Sequence, residues 1–266
     1  MIKNFPILNH KFHDKPSVFQ PENLLREARR QKGITEQIIP EICILDPDGD
    51  IEEFVISNHN AQLNKAWACY HTKLFEFTYR KVKVGIIGKA VGASFAVLLA
   101  EQLFVSGCKL LLSMTSAGQL HQTVATPYFI LIEKAVRDEG TSYHYLPPAE
   151  FSSIGSELKE KLNGAFDELD VKIFTGTTWT TDAPYRETED VINYYKGKSI
   201  DGVEMEASAL YAFAEARKKR VICFAHVTNQ MASVAGDFEK GHHNGSVDAF
   251  EVLFRVIDRM LPELKS

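Results

Sequence analysis

Hydrophobic and polar positions along this chain follow two repeats, one typical of strands and one typical of helices. Short runs rich in Val, Ile and aromatic residues, bounded by glycine or proline, predict strands. Longer runs with apolar residues at helical spacing, several of which stop at a glycine, predict helices. The predicted strands cover residues 41–47, 67–79, 81–92, 108–118, 171–184 and 220–229. The predicted helices cover residues 21–33, 94–107, 128–140 and 247–265, and residues 201–219 predict a strand followed by a helix.

The order of these elements predicts an α/β fold. Strands that alternate with helices favour a largely parallel sheet with helices on both faces, in one domain. We place this domain at residues 41–266, and residues 1–40 stand apart as an N-terminal extension with one helix, PENLLREARRQKG. In such sheets ligands bind beyond the carboxyl ends of the strands. Small or polar clusters follow four predicted strands, at residues 115–118, 180–182, 204–206 and 228–230.

Composition and charge narrow the function classes. The 266 residues are 45% hydrophobic and 24% charged, with a formal net charge of −5, which is typical of a globular protein. This acidic balance, without a long run of Lys and Arg, argues against nucleic acid and anionic membranes as partners. The apolar runs are too short for a membrane span, and the first residues lack the apolar core of a signal peptide.

The cysteines and histidines do not suggest metal chemistry. Each cysteine stands alone within an apolar run, which predicts buried thiols in a reducing compartment rather than disulfides or a metal site. These residues are Cys43, Cys69, Cys108 and Cys223. The two histidines of the polar GHHNG loop at residues 241–245 lack a carboxylate partner at a fixed spacing. We therefore expect a cytoplasmic protein that holds no metal.

Two glutamates mark the junction between the predicted strand and helix of residues 201–219. Glu204 and Glu206 flank Met205, just before the helical run begins. Carboxylates at a helix N-terminus gain roughly 0.3–1 kcal/mol each from the helix dipole, so the pair has a purely structural interpretation. A carboxylate at a strand end is equally well placed to accept two hydroxyls of a sugar, with Met205 packed against the apolar face of that sugar.

The segment VEMEASALYAFA resembles the Val-Glu-Met-Glu-Ala signature of the nucleoside phosphorylase superfamily, which includes uridine and purine nucleoside phosphorylases and the methylthioadenosine/adenosylhomocysteine nucleosidases. Four other segments are similar to this family and follow its order over about residues 40–260: AVGASFAVLLAEQL, LLSMTSAGQL, TWTTDAPYRET and FAHVTNQMA. The resemblance implies a three-layer α/β/α fold with a central mixed, mostly parallel twisted sheet. It also implies cleavage of the N-glycosidic bond of a small-molecule nucleoside, and a homo-oligomer, either a dimer or a hexamer. It implies no cofactor, with inorganic phosphate as the candidate co-substrate.

The resemblance assigns roles to the residues of two motifs. Glu206 falls on the glutamate that accepts the ribose 2′- and 3′-hydroxyls, and Met205 on the residue that lies against the sugar. Glu204 falls on the neighbour that orders the site. Ser116 falls on the Ser/Thr that contacts phosphate or sugar, and Gly118 belongs to the same substrate-binding loop.

Base recognition departs from the family pattern. Tyr185 matches the tyrosine of an Asp-x-Phe-Tyr segment, but Pro184 stands where an aromatic ring normally stacks on the base, so stacking falls to Tyr185 or Trp179. Asn229 stands where purine-specific members carry an aspartate that protonates N7. An amide can donate a hydrogen bond to the base but cannot protonate it. Asn229 is alternatively a turn residue, and Arg186 would suit a pyrimidine, so the base preference stays open.

The positions that bind phosphate in this family differ most from the family pattern. Phosphorylases of this family hold phosphate with a Gly-Asp-Pro-x-Arg loop and a second arginine, and these arginine positions fall on Gly49 and Ser113. The loop instead offers Asp46, Asp48 and Asp50, which would repel a phosphate dianion, because phosphate needs cationic donors.

Four interpretations of this loop remain open. Other cations, such as Lys65, Lys89 or Arg186, would replace the arginines and keep phosphate as the nucleophile. Asp48 and Asp50 would alternatively activate water, which makes the protein a phosphate-independent nucleosidase. A nucleoside-binding protein without catalysis would explain the loss of the arginines and of the aspartate together. The Pro-Asp-Gly-Asp run is also a plain tight turn.

Overall fold

The computed structural model describes residues 5–35, 38–121, 124–231 and 236–264. Within them ten strands form one mixed sheet. The strands are β1 (Ile42–Asp46), β2 (Gln62–Leu63), β3 (Phe75–Tyr79), β4 (Val82–Gly88), β5 (Leu110–Gln119), β6 (Tyr128–Asp138), β7 (Phe151–Ser153), β8 (Ile173–Thr181), β9 (Gly202–Glu204) and β10 (Arg220–Asn229). The α-helices are α1 (Pro21–Lys32), α2 (Asp50–Asn58), α3 (Ala93–Val105), α4 (Ser156–Leu162), α5 (Glu189–Lys196), α6 (Ala207–Arg217) and α7 (Ser246–Leu264).

Half of the sheet closes on itself. β5 pairs with β10, β10 with β6, β6 with β8, β8 with β9, and β9 returns to β5. The remaining path runs from β5 through β1, β4 and β3 to β2. The longest pairings, β5 with β10 and β6 with β8, are parallel, whereas β6–β10, β5–β9 and the β2–β3–β4 meander are antiparallel. The sheet is therefore mixed, as expected, and five of its strands form a closed ring of pairings.

Helices cover both faces of the sheet. Helices α1, α3 and α6 pack together on one side, and α2, α4 and α7 pack together on the other. This arrangement confirms the expected three-layer α/β/α architecture. None of the helices in the described ranges is long and apolar enough to cross a membrane.

The N-terminal extension contributes the helix that its sequence predicts. Pro21 occupies the first turn of α1, and Gly33 ends the helix with a left-handed φ of +65°. Leu25 and Ala28 are buried against Ala68, where the helix meets the domain. This contact attaches the N-terminal extension to the α/β domain. The boundary between extension and domain, at residues 40 and 41, stays a prediction.

Most predicted elements are confirmed, but the predicted helix at residues 128–140 is wrong. This segment is the strand β6, which pairs with β10, β8 and β7. Its first five residues are all buried, because β6 is covered on both faces within the closed part of the sheet. A strand buried on both faces loses the apolar–polar alternation, and its pattern then cannot be told from that of a buried helix.

Smaller differences concern element ends and short elements. The predicted strand at 67–79 is shortened to β3, and the small-residue loop expected at 115–118 belongs to β5. No pattern in the sequence predicted α2, α4, α5, β2 and β7, which are short elements of two to nine residues. Of these, α2 matters most, because it begins directly after the acidic turn at the end of β1.

Candidate active site

Glu206 occupies the N-cap position of α6, at the edge where the carboxyl ends of β5 and β10 lie. Its side chain is only 1% exposed. One carboxylate oxygen, Oε1, accepts a hydrogen bond from the backbone N–H of Gly92 at 2.6 Å, and Oε2 accepts one from the Thr115 hydroxyl at 2.6 Å. Burial and the neighbouring Glu204 charge raise the pKa of Glu206 to about 7. These two hydrogen bonds fix the carboxylate and leave acceptor capacity on its oxygens.

Glu204 has a different environment from Glu206. Its Oε1 accepts from the hydroxyls of Thr178, at 3.0 Å, and Thr180. Its Oε2 accepts from the backbone N–H groups of Glu206 and Ala207, both at 2.7 Å. Four hydrogen bonds match the acceptor capacity of a carboxylate, so Glu204 closes the first turn of α6 and ties it to β8. Met205 lies between the two glutamates and is partly exposed.

The acidic loop after β1 is a tight turn that starts a helix. The Gly49 N–H donates to the Asp46 carbonyl at 3.0 Å, and Gly49 has a left-handed φ of +89° that favours glycine. The buried Asp46 carboxylate accepts from the Glu52 N–H at 2.8 Å, inside the first turn of α2. Burial raises the pKa of Asp46 to about 7, and the charges of Asp48 and Asp50 act in the same direction. The turn is thus structural, and it places three carboxylates together.

A lysine from another part of the chain joins these carboxylates. The Lys240 ammonium lies 3.2 Å from Oδ2 of Asp48 and 2.5 Å from Oδ2 of Asp50. Asp48 Oδ2 also accepts a hydrogen bond from the Ser116 hydroxyl, and Asp50 Oδ1 accepts one from the Asn244 amide at 3.0 Å. Burial lowers the pKa of Lys240, but the hydrogen bond to Asp50 and the nearby charges raise it by more. Sequence reasoning missed Lys240 because no motif surrounds it.

A narrow cavity at the strand ends is lined by the acidic turn and by strand residues next to Glu206. Thr115, which donates to Glu206, lines this cavity together with Ser116 from the same strand. The other lining residues are Asp46, Asp48, Asp50, Ile51, Met114, His226, Asn244, Gly245 and Ala249. Thr115 therefore connects Glu206, through its hydrogen bond, to the cavity that the acidic cluster lines. Among the described residues, no group of three or more His, Cys, Asp and Glu side chains is placed to hold a metal.

His226 lines this cavity with a buried ring. Its ring stacks on Phe129 with centroids 4.5 Å apart, and Gly245 packs so closely over it that a Cβ there would collide with the imidazole. Burial, followed by the Lys240 charge, lowers the pKa of His226 to about 4, so the ring is neutral at neutral pH. Its Nε2 is buried and has no hydrogen-bond partner among the described residues.

Asn229 and Gly118 lie side by side at the ends of β10 and β5. The two residues are register partners, and a Cβ on Gly118 would approach the Met231 sulfur to 2.5 Å. The Asn229 side-chain oxygen Oδ1 accepts from the Met231 N–H at 2.9 Å, and the side-chain amide N–H donates to the Thr228 hydroxyl at 3.1 Å. Asn229 therefore holds the turn after β10, as its alternative interpretation expected, and any contact with a base stays a prediction.

The aromatic residues proposed for base stacking lie in opposite environments. Trp179 is buried, donates from Nε1 to Asp138 at 2.9 Å and packs against the Tyr195 ring. Trp179 is thus a core residue, and the expectation that it stacks on the base is wrong. Tyr185 is 99% exposed in the 3₁₀ turn Pro184–Arg186, so it packs against none of the described residues. Its role in stacking stays a prediction.

The cations considered as replacements for the missing arginines lie at the surface. Lys89 pairs with Glu53 at 2.9 Å, and both side chains are more than half exposed. Its aliphatic stem lies over Gly49, on the outside of the turn. Lys65 and Arg186 are exposed. Ser113, at the second arginine position, is buried, and its hydroxyl has no partner in the described part of the chain.

Comparison with known proteins supplies a family. A model described as the phosphorylase superfamily matches residues 41–261. A DeoD-type purine nucleoside phosphorylase of Psychromonas ingrahamii is 26% identical over 159 residues, which are 59% of this chain and 67% of that protein. A guanosine phosphorylase of Halorubrum lacusprofundi is 22% identical over 175 residues, which are 65% of this chain and 69% of that protein.

Solved structures show the same fold. A uridine phosphorylase from Vibrio fischeri, complexed with 6-hydroxy-1-naphthoic acid, superposes with a TM-score of 0.71 at 21% identity, over 89% of this chain and 99% of that chain. A purine nucleoside phosphorylase from Toxoplasma gondii, in complex with immucillin-H, gives a TM-score of 0.70 at 19% identity, over 86% of this chain and 92% of that chain.

Proposed function

Because this chain belongs to the phosphorylase superfamily, we propose that it cleaves the N-glycosidic bond of a nucleoside and transfers the pentosyl group to inorganic phosphate. The observation that carries the proposal is the contrast between the two glutamates of the signature. Glu204 uses its acceptor capacity within the fold, whereas Glu206 is fixed by Gly92 and Thr115 with capacity to spare. A fixed, buried carboxylate with free lone pairs suits the vicinal hydroxyls of a ribose.

The chemistry follows from that position. Cleavage of the C1′–N bond develops positive charge on the sugar, and a carboxylate in a buried site stabilises such charge more strongly than one in water. Two sugar hydroxyls that donate to Glu206 would favour its ionised form and so bring its raised pKa down on binding. The curated relatives are named for purine nucleosides and for guanosine, which supports testing purines first.

A second candidate function, hydrolysis, is favoured by one observation. The position expected for phosphate holds Asp46, Asp48 and Asp50 with Lys240 as their paired cation, so its charge opposes a dianion. Asp48 or Asp50 would in that case accept a proton from a water molecule that attacks C1′. A third candidate, nucleoside binding without catalysis, predicts affinity without turnover.

One assay separates these candidates. Uridine, inosine, adenosine, guanosine and methylthioadenosine are incubated with the protein, and free base is quantified with inorganic phosphate and after enzymatic removal of phosphate. We expect base release only with phosphate, together with ribose 1-phosphate. Equal release under both conditions would establish hydrolysis. Binding without base release under either condition would overturn catalysis, and Glu206→Gln is the control for contaminating activity.

Assembly and location are part of the same proposal. Val91 is 52% exposed, and it immediately precedes Gly92, whose N–H holds Glu206; on the following helix Leu98 is also exposed. These apolar side chains beside the site support a homo-oligomer, a dimer or a hexamer, and a monomer mass by light scattering would contradict it. All four cysteines are free buried thiols, which supports a reducing cytoplasm.

A further inference from the structure

One carboxylate oxygen of Asp48 receives two donors from distant parts of the chain. The Ser116 hydroxyl comes from β5, and the Lys240 ammonium comes from the segment after β10. A hydroxyl and an ammonium directed at a single anionic oxygen have the composition of an oxyanion site. The chain's own carboxylate fills this site.

We propose that Ser116 and Lys240 form the phosphate-binding cradle of this protein, and that Asp48 occupies it as an internal competitor which phosphate must displace. This inference rests on the proposed phosphorolysis and adds two things to it. It identifies a cation for a site that lacks both expected arginines, and it gives Asp48 the role of a gate rather than that of a base.

Lys240 is the lysine that the structure holds in place for this role. Asp50 pairs with the same ammonium at 2.5 Å and is itself fixed by the Asn244 amide at 3.0 Å. If the Asp48 carboxylate leaves, Asp50 therefore keeps Lys240 at the cavity. Lys89, by contrast, is paired with Glu53 on the outside of the turn, where both side chains are more than half exposed.

Of the three aspartates, Asp48 is the one whose carboxylate can move away from Ser116 and Lys240. Its side chain is 30% exposed, and it lies within the turn between β1 and α2. Asp46 and Asp50 are tied by hydrogen bonds from Glu52 and Asn244, whereas the hydrogen bonds found for Asp48 within the described ranges come from the two cradle donors. Rotation of the Asp48 side chain into solvent would free both donors at once.

The cavity also contains a third group suited to an anion. His226 lines it, and the Nε2 atom is buried without a partner among the described residues. A neutral imidazole with its proton on Nε2 can donate one hydrogen bond to a phosphate oxygen. A buried donor that lacks a partner costs free energy, so a bound oxyanion would relieve this cost.

Direct binding of inorganic phosphate tests the cradle without any nucleoside. Isothermal titration calorimetry at constant ionic strength compares the full chain with Asp48→Asn, Lys240→Met and Lys240→Arg. We expect Asp48→Asn to bind phosphate at least about tenfold more tightly, because the competing charge is removed, a change of about 1.4 kcal/mol. Lys240→Met should bind at least about tenfold more weakly, and Lys240→Arg should stay within about threefold, because it keeps the charge.

Lys89→Met is the matched control, since it removes a lysine next to the same turn but outside the cradle, and it should leave phosphate affinity unchanged. Circular dichroism and thermal unfolding establish whether each variant is folded. If Asp48→Asn does not fold, Asp48→Ala is used in its place to measure phosphate affinity without the competing carboxylate. Unchanged or weaker phosphate binding by a folded Asp48 variant would overturn the proposal. So would unchanged binding by Lys240→Met, or the absence of phosphate binding in every variant.

The phosphate cradle and the proposed phosphorolysis can be rejected independently of each other. Phosphate binding that responds as expected, in a protein that releases no base from any nucleoside, would leave the cradle standing and reject the proposed function. Base release that needs no phosphate, and that Asp48→Asn abolishes without gaining phosphate affinity, would make Asp48 a catalytic base and reject the cradle.

Discussion

The two ends of the candidate site, the sugar end around Glu204 and Glu206 and the anion end around Asp46, Asp48 and Asp50, differ in the donors that hold their carboxylates. At the sugar end the carboxylates are held by neutral donors, namely threonine hydroxyls and backbone N–H groups. At the anion end Asp48 and Asp50 share a lysine that lies 190 residues away along the chain from Asp50, while Asp46 is held by the backbone N–H of Glu52. Distant partners hold carboxylates at both ends, since Gly92 and Thr115 lie 114 and 91 residues from Glu206, and the ends differ in that the anion end uses a charged donor.

Both ends nevertheless raise the pKa of one carboxylate to about 7, at Glu206 and at Asp46, and burial is the first cause in each case. The two carboxylates differ in their hydrogen-bond partners. Glu206 accepts hydrogen bonds from Gly92 and Thr115 and has acceptor capacity left, while Asp46 is tied to the first turn of α2. A raised pKa thus does not distinguish a functional carboxylate from a structural one, and the hydrogen-bond partners do.

The largest expected effect is the loss of activity in Glu206→Gln. The variant keeps size and burial but replaces a charged acceptor of two sugar hydroxyls by an amide, and each charged hydrogen bond contributes about 1.5–3 kcal/mol. We expect kcat/KM for the best nucleoside to fall by roughly 100- to 1,000-fold. Steady-state kinetics measure this, with the far-ultraviolet circular dichroism spectrum as the control for folding. A decrease smaller than threefold would remove Glu206 from the sugar site.

Glu204→Ala should instead affect stability. The substitution removes acceptors from two backbone N–H groups and two buried hydroxyls at the start of α6, and we expect the free energy of unfolding to fall by about 2–4 kcal/mol. Urea denaturation measures it. Glu189→Ala, in the exposed first turn of α5, is the matched control and should change stability by less than about 0.5 kcal/mol. Equal effects of the two variants would contradict the capping role.

The raised pKa of Glu206 predicts a pH dependence. Its folded pKa of about 7 lies above the ordinary value of 4.5, so the folded state holds a proton that the unfolded state has lost. Stability contributed by this proton is full below pH 4.5 and declines as the pH rises through 7, by about 3 kcal/mol in total. The difference in unfolding free energy between wild type and Glu206→Gln should show this decline. A pH-independent difference would mean that Glu206 ionises normally in the fold.

The smallest effect is expected at Tyr185. Because this ring is 99% exposed, Tyr185→Ala should change the free energy of unfolding by less than about 0.5 kcal/mol and kcat/KM by less than about twofold. Tyr195→Ala is the comparison, since that ring packs on Trp179, and it should cost about 2 kcal/mol. A tenfold loss of kcat/KM in a stable Tyr185→Ala protein would establish the stacking role that the resemblance assigned.

The sequence was most informative where structure is local. The strand β1, the β9–α6 junction and the helices α1 and α7 could be predicted, because periodicity, turn residues and helix ends are properties of short segments. β6 was predicted as a helix, since a strand buried on both faces carries no alternating pattern. Trp179 was considered for the base, but its burial and its contacts with Asp138 and Tyr195 place it in the core.

The sequence by itself determined the α/β architecture, the family signature and the position of Glu206, because these depend on residues that are adjacent in the chain. Only the tertiary structure decided which glutamate has acceptor capacity left, and only it brought Lys240 to Asp48 and Ser116. Pairing between segments that are far apart in sequence is set by the closure of the sheet. Because that closure depends on packing throughout the core, the sequence pattern of a short segment cannot predict it.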